Sequence, residues 1–488
     1  MRILMLTEGT YPYFKGGVST WTHDLIGNLK DFDFIVAAIL PTPFYTPRYN
    51  MPSNVLGLLS IPLWGMEMVK EFSHEPLREA IQRRLKTKES EIRDDFAPYL
   101  RDFLRTLKGG GTSPKVMAEA LYGMHLYLRE HDYKKAFKSK HVWRVFWEEL
   151  AEDPLYGHID VSSLIETSRV IQHLLRILAY RFPEVDLCHS SAAAFCGIPA
   201  VLLKMEYDVP YLLTEHGVYF RERALDAVRG ASNIVEKILW MNLFRAIVRL
   251  NYHYADKILP VCHFNVDWEK ELGVPADKIE VIYNGVDLNR FKPMNIPQDD
   301  VKRIVVMARI DKLKDILNII DAMETVSEKH GDAVCEIYGP VDDEIYYEQC
   351  LNRVEELGLE NHVRFMGPTQ TPEVEYNRAT VVAQPSLSEG FPFSVIEAMA
   401  CGKPIVATDV GGVREALGEY GIIVPPRSPR LLAKGIIKLL EDEKLREKLG
   451  KGARLRAVKL FSHERFVHEY YRVYLQAVSE SRLRGIWT

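Results

Sequence analysis

The apolar positions fall into short runs separated by stretches of helical period. Ile3 to Leu6 come first, then a Pro/Gly loop, then Val18, Trp21, Leu25, Ile26 and Leu29 along one side of a helix. That is the opening of a β-loop-α unit. Phe34 to Leu40, Val185 to His189, Tyr211 to Thr214 and Ile258 to Val261 read as further strands, the later ones separated by helix-length segments. Such alternation predicts a parallel, doubly wound sheet. Over about residues 65–182 the pattern turns to charged helical sequence with few strand signals, which predicts a helical insertion. One of its helices is marked by Ser163-x-x-Glu166 as a capping box, with Ile171, Leu174, Leu175 and Leu178 as the apolar stripe behind it.

The turn-rich passage Tyr283 to Asp287, followed by Pro293 and Pro297, breaks this rhythm and reads as a hinge between domains. A second alternation then begins. Ile304 to Ala308, Val334 to Tyr338, Val363 to Met366, Val381 to Gln384, Ile405 to Thr408 and Ile422 to Val424 are its strands, with Asp315 to Lys329 and Pro429 to Glu441 among its helices. The economical architecture is two α/β domains facing a cleft. No short-period repeat or low-complexity segment interrupts it.

Composition narrows the function. The 488 residues, 47% of them hydrophobic, suffice for several domains with a buried core. Basic and acidic residues nearly cancel, 62 against 67 for a net charge of −5, so no global basic field exists to hold nucleic acid or an anionic membrane. Cys188, Cys196, Cys262, Cys335, Cys350 and Cys401 lie far apart, without a C-x-x-C pair or zinc spacing, and read as reduced, buried thiols. Glu8 arrives too early for a signal peptide, and no apolar stretch approaches the roughly 18 residues of a membrane span. A soluble, cytoplasmic chain is the expectation.

Ligands of open α/β sheets sit beyond the carboxyl ends of the strands, and four segments there could carry chemistry. In Lys15-Gly16-Gly17-Val18, two glycines allow close backbone approach and the next helix aims its free N–H groups at an anion; the alternative is a plain tight turn. In Thr214-Glu215-His216-Gly217 the histidine either meets a polar substrate or is a satisfied strand-end histidine. Arg309 and Lys314 flank a strand-to-helix turn that could bring both cations to one diphosphate, or simply form a solvated charged loop. The segment Pro385 to Pro404 is richest. Its Ser394-x-x-Glu397 would start a helix as a capping box with no ligand at all, whereas Glu389, in a glycine-bearing loop past a strand, has no such local role.

Glu389 and Glu397 make an E-x7-E pattern within Glu-Gly-Phe-x5-Glu-Ala-Met-Ala-Cys-Gly-x-Pro-Ile-Val-Ala-Thr-Asp-Val-Gly-Gly. This resembles the signature of the retaining GT-B glycosyltransferases, the large glycosyl transferases group 1 family that includes sucrose and phosphatidylinositol mannosyl transferases. Gly16-Gly17, Asn284 to Asp287, and Arg309 with Lys314 fall where that family has its glycine loop, hinge and phosphate-binding pair. The opening Leu6 to Trp21, Thr214 to Gly217 and the helical insertion are similar to the narrower PelF group of exopolysaccharide glycosyltransferases. Two departures stand out: Asp315 replaces the family's glycine after the lysine, and Tyr283 stands where proline is frequent.

The resemblance implies a GT-B fold of two doubly wound Rossmann-like domains. Residues 1–290 form the acceptor side with its insertion, 291–462 bind the nucleotide sugar, and 463–488 form a helix returning to the first domain. By the same resemblance Glu397 binds the ribose hydroxyls and Glu389 those of the donor sugar. Arg309 and Lys314 neutralise the departing diphosphate, joined by Gly390, Phe391, the amides near Ser394 and Val395, and Gly16 and Gly17 from the first domain. His216 contacts the donor sugar near the reacting carbon, and Met366 lies where relatives hold the base.

The implied activity is transfer of a hexose from a nucleotide sugar, UDP-glucose being the reference donor, to a glycan acceptor. No metal or other cofactor is called for, and the sole D-x-D, Asp31-Phe32-Asp33, sits at the entry to a strand. A membrane-bound polysaccharide synthase complex is a candidate partner, and nucleic acid is not. The alternative is a catalytically silent scaffold that keeps the sugar-nucleotide site. A dehydrogenase is excluded because G-x-G-x-x-G is absent; P-loop and G-x-S-x-G motifs are absent too.

Overall fold

The structure is a computed structural model that describes residues 1–66, 76–108, 113–229, 233–296 and 301–487. Pro297, and parts of the expected insertion, lie outside the described residues. The chain divides into two compact units: Met1–Pro260 with Trp268–Glu280 and Tyr471–Thr488, and Val261–Asp267 with Val281–Tyr470.

The first unit holds β1 (Arg2–Glu8), β2 (Asp33–Leu40), β3 (Val55–Pro62), β4 (Leu187–Ser190), β5 (Tyr211–Glu215) and β6 (Lys257–Pro260). The second holds β7 (Lys302–Met307), β8 (Ala333–Tyr338), β9 (Val363–Gly367), β10 (Val381–Gln384), β11 (Ile405–Thr408) and β12 (Ile422–Val424). The sheet orders are β3-β2-β1-β4-β5-β6 and β12-β11-β10-β7-β8-β9, with every pair parallel. Renumbered within its own unit, the second order repeats the first, and both are doubly wound with one reversal of strand order near the middle.

Helices cover both faces of such sheets, so central strands read as unbroken apolar runs; Ile3 to Leu6 of β1 are all buried. The edge strand β3 escapes that reading, because Gly57 and Ser60 interrupt it and several of its side chains are half-exposed. Likewise β4 begins at Leu187 rather than Val185, since only from Leu187 onward are the residues buried.

The described helices used below are α1 (Gly17–Asn28), α2 (Leu77–Lys86), α3 (Pro114–Glu130), α4 (Val161–Leu174), α5 (Ile316–Lys329), α6 (Phe393–Ala400) and α7 (His463–Trp487). The insertion is not a separate body. Met117, Leu121 and Met124 of α3 share one hydrophobic cluster with Leu4 and Leu6 of the sheet. The cap expected at Ser163 is corrected: α4 starts at Val161, and the Asp160 carboxylate accepts from Ser163 N–H at 2.8 Å. An acid at the N-cap satisfies a free amide and meets the positive end of the helix dipole, so the helix begins about one turn before Ser163.

The passage expected as a hinge is tightly packed within the second unit. Asn284 Nδ2 donates to the Phe391 carbonyl at 2.9 Å, and Val286 exchanges backbone hydrogen bonds with Phe461 and His463. In the first unit, α7 lays Tyr471 against Phe32 at 5.1 Å between ring centroids.

The second unit also buries an ion pair between neighbouring strands: Arg303 Nε donates to Glu336 Oε1 at 3.0 Å, and Tyr338 Oη donates to Glu336 Oε2 at 2.9 Å. Removing one partner strands the other charge in the interior. Arg303→Met is therefore expected to destabilise by about 3–5 kcal/mol, and the double change Arg303→Met/Glu336→Leu by clearly less. Urea unfolding of both variants checks this.

Candidate functional site

In the second unit the strand order reverses between β10 and β7, which pair through Val381↔Ile304 and Val382↔Val305. Loops leaving the carboxyl ends of two such strands diverge to opposite faces and leave a crevice. Arg309 to Asp315 leave β7, and Pro385 to Pro392 leave β10. The loops are tied by Leu387 N–H to the Leu313 carbonyl at 2.8 Å.

Here Lys314 Nζ reaches both oxygens of Glu389, at 2.8 and 2.9 Å. Glu389 Oε1 also accepts from Gln384 Nε2 at 2.8 Å and Ser386 Oγ at 2.6 Å. The carboxylate is 8% exposed and the lysine 18%. A third strand end presses on the same loop: Thr408 Oγ1 donates to the Ser386 carbonyl at 2.6 Å, and Gly412 N–H to that of Gly390 at 2.7 Å. Gly411, at φ +53°, lies so close that a Cβ would stand 1.9 Å from the Glu389 carbonyl oxygen.

The capping box expected at Ser394 and Glu397 is not formed. The N-cap of α6 is Pro392, with no side-chain cap. Ser394 Oγ instead donates to Gln384 Oε1 at 3.0 Å, and Glu397 Oε2 accepts from Tyr376 Oη at 3.1 Å. Ser394 is turned from helix capping to the crevice network and Glu397 to the buried Tyr376, while Val395, between them on α6, is buried.

Arg309 stands apart from Lys314 in its partners, pairing with Asp342 and, at 3.5 Å, with Asp311, and it is half-exposed. Met366, at the end of β9, is likewise half-exposed. Phe391 is buried, stacked on Tyr283 at 5.1 Å, so its side chain serves packing and only its backbone borders the loop. Gln384, Ser386 and Tyr376 were not foreseen as site residues. The signal available was Gln384, a polar side chain closing the otherwise apolar strand Val381 to Ala383.

Asp315 resolves the departure at the family's glycine. It adopts φ +48°, ψ +51°, the left-handed conformation that glycine favours and aspartate tolerates, so the loop keeps a glycine-like path. Its Oδ2 is buried without a hydrogen-bond partner. Burial raises its pKa to about 6, against a lowering pull from Arg427.

In the first unit the reversal falls between β1 and β4. Glu8, closing β1, accepts from Cys196 N–H at 3.0 Å, and Gly16 caps α1 with Gly17 as its first residue. His216 follows β5. Its ring stands edge-on to Trp21 at 4.5 Å, and Trp21 in turn meets His189 at 5.5 Å. His189 is fixed by Tyr474 Oη at 2.6 Å and Thr214 Oγ1 at 2.9 Å. His216 Nε2 is buried with no hydrogen-bond partner, and burial pushes the ring's pKa down to about 3. The imidazole is therefore neutral at physiological pH, with one nitrogen still to be satisfied. Among the described residues, no group of three or more His, Cys, Asp or Glu is arranged to hold a metal ion.

Two six-stranded, all-parallel α/β units of this order make the fold of the GT-B glycosyltransferases. The chain belongs to the family described as Domain of unknown function (DUF3492), whose model matches residues 1–277, while residues 289–456 match Glycosyl transferases group 1. Among solved structures it is similar to sucrose-phosphate synthase from Thermosynechococcus elongatus, with TM-score 0.62 and 18% identity over 98% of this chain and 99% of that one. It is also similar to Anabaena HepE in complex with UDP and glucose, with TM-score 0.60 and 15% identity over 97% and 98%. Among curated relatives, D-inositol 3-phosphate glycosyltransferase of Jonesia denitrificans is 34% identical over 204 residues, 37% of this chain and 47% of that protein. The chain spans about half the length of the curated relatives it matches.

The raised pKa of Asp315 makes a stability prediction with a definite sign. The native state keeps this proton up to about pH 6 while the unfolded chain releases it near the ordinary value of about 4, so this contribution to stability falls as pH rises through that window. Asp315→Asn should therefore gain stability over the parent chain as pH rises from about 4 to about 7, read by urea unfolding across the range.

Proposed function

We propose that this chain is a retaining glycosyltransferase that moves a hexose from a nucleotide sugar, with UDP-glucose as reference donor, to a glycan acceptor without needing a metal ion. The observation that carries this reading is Glu389, gripped by Lys314, Gln384 and Ser386 at the switch point of the second sheet, with Glu397 following on α6. Carboxylates set among amides and hydroxyls suit the hydroxyls of a sugar and a ribose.

Breaking a sugar–phosphate bond builds negative charge on the departing diphosphate. Preorganised cations and uncapped helix amides stabilise that charge as it forms. Lys314, Arg309 and the first turn of α6 are the groups for it, with Gly16 and Gly17 at the start of α1 in the first unit. Because Lys314 is paired with Glu389 and Arg309 with Asp342 and Asp311, a diphosphate must share cations already in use. His216 takes the contact with the donor sugar. A neutral imidazole hydrogen-bonds hydroxyls without repelling the positive charge that develops at the anomeric carbon, which a protonated ring would do. The acceptor hydroxyl attacks on the face the diphosphate leaves, and the departing phosphate takes its proton. Met366, half-exposed at the end of β9, borders the base in this reading. Action in the cytoplasm on an exopolysaccharide, in the manner of the PelF group and alongside a membrane-bound synthase, belongs to the same proposal.

Thermal stability with EDTA and a panel of nucleotides tests the donor site. A ligand at 100 times its Kd should add about 2.7 kcal/mol. The expected result is a shift with UDP or UDP-glucose that disappears in Glu397→Ala and Arg309→Ala. Absence of a shift with every nucleotide, or a shift that survives both changes, would overturn the donor site proposed here. His216→Ala should keep the UDP shift yet slow transfer by about a hundredfold, read as release of UDP from UDP-glucose with acceptor present.

A further inference from the structure

One helix of the insertion is held in an unusual way. Helix α2 has ten residues and buries none of them. Isolated helices shorter than about 12–15 residues are marginal in water, and helices in proteins owe most of their stability to packing an apolar face. This helix has such a face, yet it points outward: Leu77, Ile81 and Leu85 are 72%, 49% and 74% exposed. At about 100° per residue they form one stripe about 80° wide, and Arg78 and Arg84 lie about 20° beyond its two edges.

The surroundings are basic. Residues 76–91 carry Arg78, Arg83, Arg84, Lys86 and Lys88 against Glu79, Glu89 and Glu91, and Lys86 pairs with Glu130 at 3.6 Å. The neighbouring helix Tyr133–Phe137, whose Lys135 Nζ donates to the Arg84 carbonyl at 3.1 Å, adds Lys134 and Lys135, and Lys138 follows it. A chain whose net charge is −5 thus gathers a local excess of positive charge around this exposed apolar stripe.

We infer that α2 is a peripheral membrane anchor that lies in the interface of an anionic bilayer. The stripe fits the boundary between headgroups and acyl chains, and flanking arginines can bury their methylene stems while keeping the guanidinium among lipid phosphates. The charge favours lipid over protein as the cover, because an anionic surface complements this composition. A protein partner would need about 800 Å² on its side of a stable interface, and three side chains on a ten-residue helix offer only part of that. Residues 77–86 carry no part of the proposed donor site, so the anchor stands or falls separately from the transferase reading.

The test is co-sedimentation of the purified full chain with vesicles of phosphatidylcholine alone and of phosphatidylcholine with phosphatidylglycerol at 1:1, at about 0.1 M and about 1 M salt. Binding is expected to the anionic vesicles at low salt only. It should fall at least about tenfold in Arg78→Glu/Arg84→Glu, and by a similar factor in Leu77→Ser/Ile81→Ser/Leu85→Ser. Because these side chains are exposed, both variants should melt as the parent chain does, which separates lost binding from lost folding. The inference is overturned by absence of vesicle binding, by equal binding to both compositions, or by variants that bind as the parent does. It is overturned equally if light scattering shows a dimer of the parent chain that the triple serine variant abolishes.

Discussion

A carboxylate that is 8% exposed must find donors for its oxygens, and at Glu389 they arrive from separate parts of the second sheet. Lys314 comes from the loop after β7, while Gln384 and Ser386 come from the end of β10. The loop after β11 fixes the backbone from behind, through Thr408 and the close approach of Gly411. These contacts meet only because β10 lies between β11 and β7. Strand order, set by burial of apolar strands far from any ligand, decides which polar side chains share a crevice. The ion pair is in this sense the local result of a topology that extends across the unit.

Much of this was legible in the sequence, and the reasons differ by feature. Buried central strands such as Ile304 to Val306 announce themselves because both faces demand apolar residues. The edge strand Val55 to Pro62 does not, because one of its flanks has no neighbouring strand to satisfy. Glu389, Lys314 and His216 could be picked out by position after strands, but Gln384 and Tyr376 could not be given roles: their importance lies in partners distant in the chain. Local rules also misled. The Ser394-x-x-Glu397 spacing satisfies a capping box, yet both side chains found stronger partners in Gln384 and Tyr376, and tertiary contacts overrode the local motif.

The first unit shows how imidazoles can be held in a protein interior without being charged. His189 is locked between Tyr474 and Thr214, and Trp21 stands edge-on to it and to His216. Rings packed this closely leave little room for water around either histidine, and the loss of hydration keeps both neutral. A row of rings thus runs from Tyr474 on the C-terminal helix through His189 and Trp21 to His216, and that helix helps to hold the interior of the first unit.

The six buried cysteines carry a consequence of another kind. Burial raises the thiols at Cys350 and Cys401 to about 12, and the thiolate is the form that reacts. In the native molecule these sulfurs are buried, so alkylation proceeds only through opening. Their places are well spread: Cys188 and Cys196 report on the first sheet and the turn after β4, Cys335 and Cys350 on the β8 side of the second, and Cys401 on the end of the helix that carries Glu397. The chain thus contains its own set of clocks for partial unfolding, each timing the breathing of a different region.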